Sequence, residues 1–182
     1  MTIHLETERL LMRDIMDSDV QAMFAMDSDP DVHVFLGNKP ISTMEEATKI
    51  INNIQQQYLD NGIGRWAVVE KESGAFIGWS GFRLITDVVN DKTNYYDLGY
   101  RFLKKYWGQG YASETAIASL NHGFQNLGFD EIVGIADVNH SASNIILAKS
   151  GLIKRNEFTY EGVLHNFYTL TKTEWQKLQN RG

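Results

Sequence analysis

Cysteine is absent from this chain, which removes disulfides, thiolate metal sites and an acyl-cysteine intermediate together. Proline is scarce, with 2 in 182 residues, and no stretch is rich enough in Ser, Gly or Pro to act as a linker. Neither an internal repeat nor a low-complexity tract is present. Positive charge is also short: 17 Lys and Arg stand against 23 Asp and Glu, a formal net charge of -6. A nucleic-acid partner, which needs a basic face to displace counterions, is therefore not expected. No apolar run approaches membrane-spanning length, and Met1-Thr2-Ile3-His4-Leu5-Glu6 lacks the basic-then-apolar order of a signal peptide. The 5 histidines show no H-E-x-x-H or other ligand spacing, so no metal is expected. With 43% hydrophobic residues, the composition reads as one cytoplasmic domain over 1–182, compact enough to bury a core.

What is present is concentrated in Tyr95 to Thr115. Tyr96-Asp97-Leu98-Gly99-Tyr100-Arg101-Phe102 alternates apolar and polar residues as a strand does. Trp107-Gly108-Gln109-Gly110 follows as a loop, and Ala112, Ala116, Leu120, Phe124 and Leu127 then recur at helical spacing. Strand, glycine loop and helix together gather free N–H groups at a helix N-terminus, an anion site suited to phosphate. Two familiar phosphate loops are excluded. No G-x-x-x-x-G-K-[ST] string exists, and Ser113 stands where a dinucleotide fingerprint needs its third glycine.

The rest of the chain alternates helices and strands. Leu10 to Arg13 reads as a first strand; Asp17-Ser18 opens a helix that Asp29-Pro30 stops; Ser42-Thr43-Met44-Glu45 caps a long second helix ending near Asn61-Gly62. Trp66 to Glu70 and Phe76 to Phe82 form a hairpin, and Glu131 to Ala136 is a buried strand. Ser141 to Ser150 is a short helix closed by Gly151. Strands near Ile153 to Phe158 and Val163 to Leu170 precede a helix opened by Thr171-Lys172-Thr173-Glu174. The order predicts an α/β (α+β) fold with about seven strands, mostly antiparallel, with parallel pairing across the glycine loop.

Several strings, taken in this order, resemble the GNAT acetyltransferase superfamily, and more narrowly its RimJ/RimL-like branch. They are Glu8-Arg9-Leu10-Leu11-Met12-Arg13, Asp29-Pro30-Asp31-Val32, Ile77-Gly78-Trp79, Trp107-Gly108-Gln109-Gly110-Tyr111-Ala112, and Ser143 through Lys149-Ser150-Gly151-Leu152. The resemblance implies acetyl-CoA as cosubstrate, direct transfer to a primary amine, and a fourth and fifth strand that diverge to admit the pantetheine arm. The acceptor is then a protein N-terminus or a small molecule such as a polyamine; an acyl-CoA-binding module without chemistry is the alternative. Many relatives dimerise, so a homodimer is compatible.

On that resemblance the cofactor contacts fall to Gly99, Tyr100, Arg101, Phe102, Trp107, Gly108, Gln109, Gly110, Tyr111, Ala112, Asn139, His140, Ser143 and Lys149. Arg101, Lys104 and Lys105 are the nearby cations. Asp97 is the first choice as base acting through water, against a plain strand-edge ion pair with Arg101 or Lys105; Asp137 and Glu161 are runners-up. The superfamily's usual tyrosine acid is replaced by Leu147, which leaves Ser143 as candidate proton donor to the thiolate, against a helix cap. The branch's Asn three residues before that serine is His140, with Asn139 adjacent. Asp27, Asp29 and Asp31, on one side, and Tyr160, Glu161 and His165, on the other, are candidate walls of the acceptor site.

Overall fold

The computed structural model describes residues 1–180. Eight strands form one sheet in the order β1-β2-β3-β4-β5-β6-β8-β7: β1 Ile3–Glu6, β2 Leu10–Arg13, β3 Arg65–Glu70, β4 Phe76–Ile85, β5 Tyr95–Phe102, β6 Glu131–Asp137, β7 Ile153–Tyr160 and β8 Val163–Thr171. Every pairing is antiparallel except β5 with β6. The helices are α1 Val20–Asp27, α2 Met44–Asn61, α3 Tyr111–Gln125, α4 Ser141–Lys149 and α5 Lys172–Gln179. The sequence expectation of seven strands missed β1, which is short and only partly buried, so its apolar alternation barely exceeds its surroundings.

The starts of α2 and α5 are set locally. Thr43 caps α2 and Glu46 reaches back to it, one residue later than the box expected at Ser42 and Glu45; Thr171 and Glu174 do the same for α5. In α2, Ala47, Ile51 and Ile54 recur at i, i+4 and i+7 and are buried, so that face must dock on the sheet. It does so beside Met23 and Met26 of α1, over Ala67, with Trp79 and Leu103 at the margin. The opposite sheet face carries α3, α4 and α5, which bury Ala116, Leu120, Phe124, Leu147 and Trp175 against Trp66, Phe82, Leu98 and Ile132.

Strand periodicity then sorts β5 between the two layers. Leu98 and Phe102 are buried in the α3 layer, with Tyr96 and Tyr100 packed against it, whereas Asp97, Gly99 and Arg101 face the α1–α2 side. One strand thus presents its chemistry to both faces.

Candidate active site

The loop between β5 and α3 is held open by its own backbone. Trp107 N–H donates to the Lys104 carbonyl at 3.0 Å, but among the described residues nothing accepts from the amides of Gly108 to Ala112. Gly108 at φ 72° and Gly110 at φ 84° lie in the left-handed region, where a side chain costs about 1–2 kcal/mol. A Cβ on Gly108 would meet nothing within 4 Å, so conformation, not crowding, calls for glycine there. Five unpaired donors at the positive end of a 15-residue helix suit a diphosphate.

Other elements fix this loop from outside. Arg9, in the turn between β1 and β2, donates from Nη1 to the Gln109 carbonyl at 3.1 Å and from Nε to Glu114 at 2.8 Å. Its guanidinium also lies 4.4 Å over the Tyr111 ring, and the Tyr111 hydroxyl donates to Glu70 at 2.5 Å. Trp107 anchors by its indole N–H on the Phe102 carbonyl at 2.9 Å. The Arg9 string was legible as a family feature, but nothing in it shows that its partner lies 105 residues away.

Beside the loop the sheet parts. β5 and β6 pair only at Tyr96 with Ile132 and Asp97 with Val133. On its other edge β5 stays paired with β4 as far as Phe102 opposite Gly78. From Gly99 to Phe102, then, one edge of β5 faces no strand, and its main-chain groups can pair with an extended ligand as an added strand would.

Side chains border that opening on both faces. On the α3 side the Tyr100 hydroxyl lies 3.1 Å from Ser143 Oγ and donates to the Ser143 carbonyl at 3.2 Å. Burial raises its pKa well above the ordinary phenol value. On the other side Phe35 stacks on His140, with centroids 4.4 Å apart and planes at 13°, and burial lowers the imidazole's pKa. The turn after β6 is shaped by Asp137, whose carboxylate accepts from Asn139 N–H at 2.8 Å. Asn144 pins α4 in place: its Nδ2 donates to the Asp137 and His140 carbonyls at 2.8 Å each, and its Oδ1 accepts from Asn166 and Tyr168.

The α1–α2 face holds a chain of charges. Arg65 donates to Asp97 Oδ2 at 2.5 Å and to the Asp97 carbonyl at 2.6 Å. Arg101 donates to Asp27 at 2.7 Å. Trp79 lies between these arginines, 5.2 Å and 5.1 Å from their guanidinium carbons. Burial lowers the Arg65 pKa, and the Asp97 charge opposes that shift. Asp97 Oδ1 accepts nothing from the described residues and remains free for a ligand or water.

The acetyltransferase (GNAT) domain family matches residues 9–153. The chain belongs to that family. An otherwise uncharacterized N-acetyltransferase of Bacillus subtilis, YoaA, is 30% identical over 163 residues, covering 90% of this chain and 86% of the relative. In fold, the chain is similar to the ribosomal L7/L12 α-N-protein acetyltransferase RimL in complex with coenzyme A, at 17% identity and TM-score 0.77, covering 93% and 98% of the two chains. It is similar also to spermidine N-acetyltransferase of Vibrio cholerae in complex with CoA and spermine, at 13% identity and TM-score 0.75, covering 93% and 99%. This GNAT protein is therefore an acetyl-CoA-dependent acetyltransferase.

Several expected site residues have protein partners in this GNAT fold. Arg101 pairs with Asp27 and Lys104 with Asp31; Lys105 lies 5.0 Å from the Tyr106 ring centre. Asp97 pairs with Arg65, not with Arg101 or Lys105. Ser143 is the third residue of α4 while His140 occupies the N-cap position, so Ser143 is not the cap. Leu147 is 1% exposed, and a Cβ on Gly134 would lie 2.7 Å from it; that position is packed shut. Lys149 is exposed at the far end of α4. Among the described residues no group of three or more His, Asp or Glu could hold a metal ion, and no helix is long and apolar enough to cross a membrane.

Proposed function

We propose that this GNAT enzyme transfers acetyl from acetyl-CoA directly to a primary amine, with the thioester lying between the free edge of β5 and the start of α4. The observation that carries this reading is the abrupt end of β5–β6 pairing at Asp97, next to a loop whose amides from Gly108 to Ala112 have no partner among the described residues. The loop would hold the pyrophosphate. The main chain of Gly99, Tyr100, Arg101 and Phe102 would hold the pantetheine arm, and an N–H of that stretch would stabilise the oxyanion, worth about 3 kcal/mol. Asn139, His140 and Ser143 would line the facing wall, with Lys149 as a cation at the far end of α4.

Acceptor chemistry belongs to the α1–α2 face, where Asp97 Oδ1 is open. Paired with Arg65 through Oδ2, Asp97 serves as an acceptor-facing carboxylate that draws a proton from the amine through water. That arrangement suits an α-amino group, which titrates near pH 8, better than a lysine-like amine near pH 10. We therefore infer a RimJ/RimL-like acceptor, a protein or peptide N-terminus, over a polyamine. The absence of cysteine fits direct attack without an acyl-enzyme.

A free-thiol assay across N-terminal peptides, amino acids and polyamines tests this. Acetyl-dependent thiol release with a peptide N-terminus is the expected result. Saturable CoA binding without thiol release over the whole panel would favour a binding module instead.

A further inference from the structure

A leaving thiolate needs a proton, and two positions that could deliver it have been altered by the fold. Leu147 occupies the usual tyrosine position and is sealed against Gly134. Ser143 is present, but its Oγ is already engaged by Tyr100 at 3.1 Å. The phenol that engages it comes from β5, the strand whose unpaired edge borders the gap.

We propose that the Tyr100 hydroxyl, held across the gap by Ser143, is the proton donor to the sulfur that leaves during transfer. This deepens the acetyl-CoA reading above and rests on it. In the free chain Tyr100 O–H donates to the Ser143 carbonyl, which leaves the Ser143 hydroxyl proton to point back at the phenol oxygen. When sulfur arrives, the phenol proton turns to it while Ser143 keeps its bond to the same oxygen. Ser143 is then a positioning residue: it orients the phenol and stabilises the phenolate that forms. The geometry gives the donor without any α4 tyrosine.

The step balances. The acceptor nitrogen's lone pair forms the C–N bond, and the C–S bond breaks with its electron pair on sulfur. Sulfur takes the Tyr100 proton and leaves as the free thiol. The nitrogen's surplus proton passes to water near Asp97, and solvent returns a proton to the phenolate. Burial raises the phenol's pKa, so the phenolate left after transfer is readily reprotonated and Tyr100 is neutral again for the next turnover.

The absence of cysteine supplies a clean test, because bound CoA carries the only thiol in the sample. Alkylation of CoA by iodoacetamide, followed against pH with protein in excess, reads the bound thiol's pKa directly. Wild type should lower that pKa by about one unit relative to Tyr100→Phe, because a phenol O–H stabilises the thiolate. Tyr100→Phe should keep CoA affinity in calorimetry within about threefold and lower kcat about 100-fold; Ser143→Ala should lie between it and wild type in both. Unchanged kcat and thiol pKa in Tyr100→Phe would overturn the proposal. So would loss of CoA binding in that variant, which would make Tyr100 a wall of the site, or an inactive Ser143→Ala beside an active Tyr100→Phe. Wild-type protein that binds no CoA would instead sink the site assignment itself.

Discussion

Arg65 reaches Asp97 by lying directly over Gly99: the two charges meet at 2.5 Å, and a Cβ on Gly99 would come within 2.6 Å of the guanidinium. One glycine in β5 thus permits the close approach of Arg65 to Asp97. Arg65 is 8% exposed, so removing its partner strands a buried cation. Asp97→Asn should therefore cost about 3 kcal/mol in urea unfolding. Arg65→Met combined with Asp97→Asn should recover much of that stability yet stay slow in acetyl transfer. Recovery of both stability and rate would confine Asp97 to a structural role.

Gly99→Ala should act through the same pair. Its methyl group has no room until Arg65 moves, so a loss of about 1–3 kcal/mol is expected from overpacking, again by urea unfolding. In an Arg65→Met background the penalty should shrink, because a flexible apolar side chain gives way where a pinned guanidinium does not. Equal penalties in the two backgrounds would place the strain elsewhere.

The loop glycines make a different prediction. Gly108→Ala meets no neighbour but must adopt φ 72°, so stability should fall by only about 1–2 kcal/mol. Affinity for CoA should fall more steeply, about tenfold or beyond, since relaxing that residue turns amides away from a common centre. Calorimetry on folded variant protein checks it, and wild-type affinity would remove the loop from the site.

Stability should also fall on mild acidification. Burial lowers the pKa values of His33, His122 and His140 in the fold, while an unfolded imidazole titrates near 6.5. The unfolded chain then binds more protons below that value, so these histidines contribute fully above about pH 6.5 and progressively less as pH drops. The lowered carboxyl pKa values of Asp14 and Glu114 extend the loss to lower pH, below the unfolded carboxylate range. The urea midpoint should decline from pH 7 to pH 5, and His140→Gln should flatten part of that decline. A midpoint that rises over the same interval would contradict the burial of these rings.

Much of this was legible in the chain because it is local. The capping box at Thr171, the glycine pair after a strand and the helical spacing of Ala112, Ala116 and Leu120 each act within a few residues, and the structure places them on α5, the loop and α3. What escaped depends on register. Cross-strand pairing sets Gly81 opposite both Arg65 and Gly99, and no periodicity shows that Arg65 would cross to Asp97. Asn144 looks like an ordinary helix residue, yet it joins α4 to β6 and β8 through three hydrogen bonds. Tyr100 was assigned to the cofactor strand, but its contact with Ser143 spans 43 residues. The β1 strand was missed because four residues, half of them exposed, give too short an alternation to stand out.

The most direct measurement is an amide ¹H–¹⁵N correlation spectrum of the labelled 182-residue chain during titration with CoA. Shifts concentrated at Gly108 to Ala112 and at Gly99 to Phe102, saturating together, are predicted, with the amides of β1 and β7 unmoved. Saturable binding that leaves those two stretches untouched, and shifts a different surface, would contradict the account.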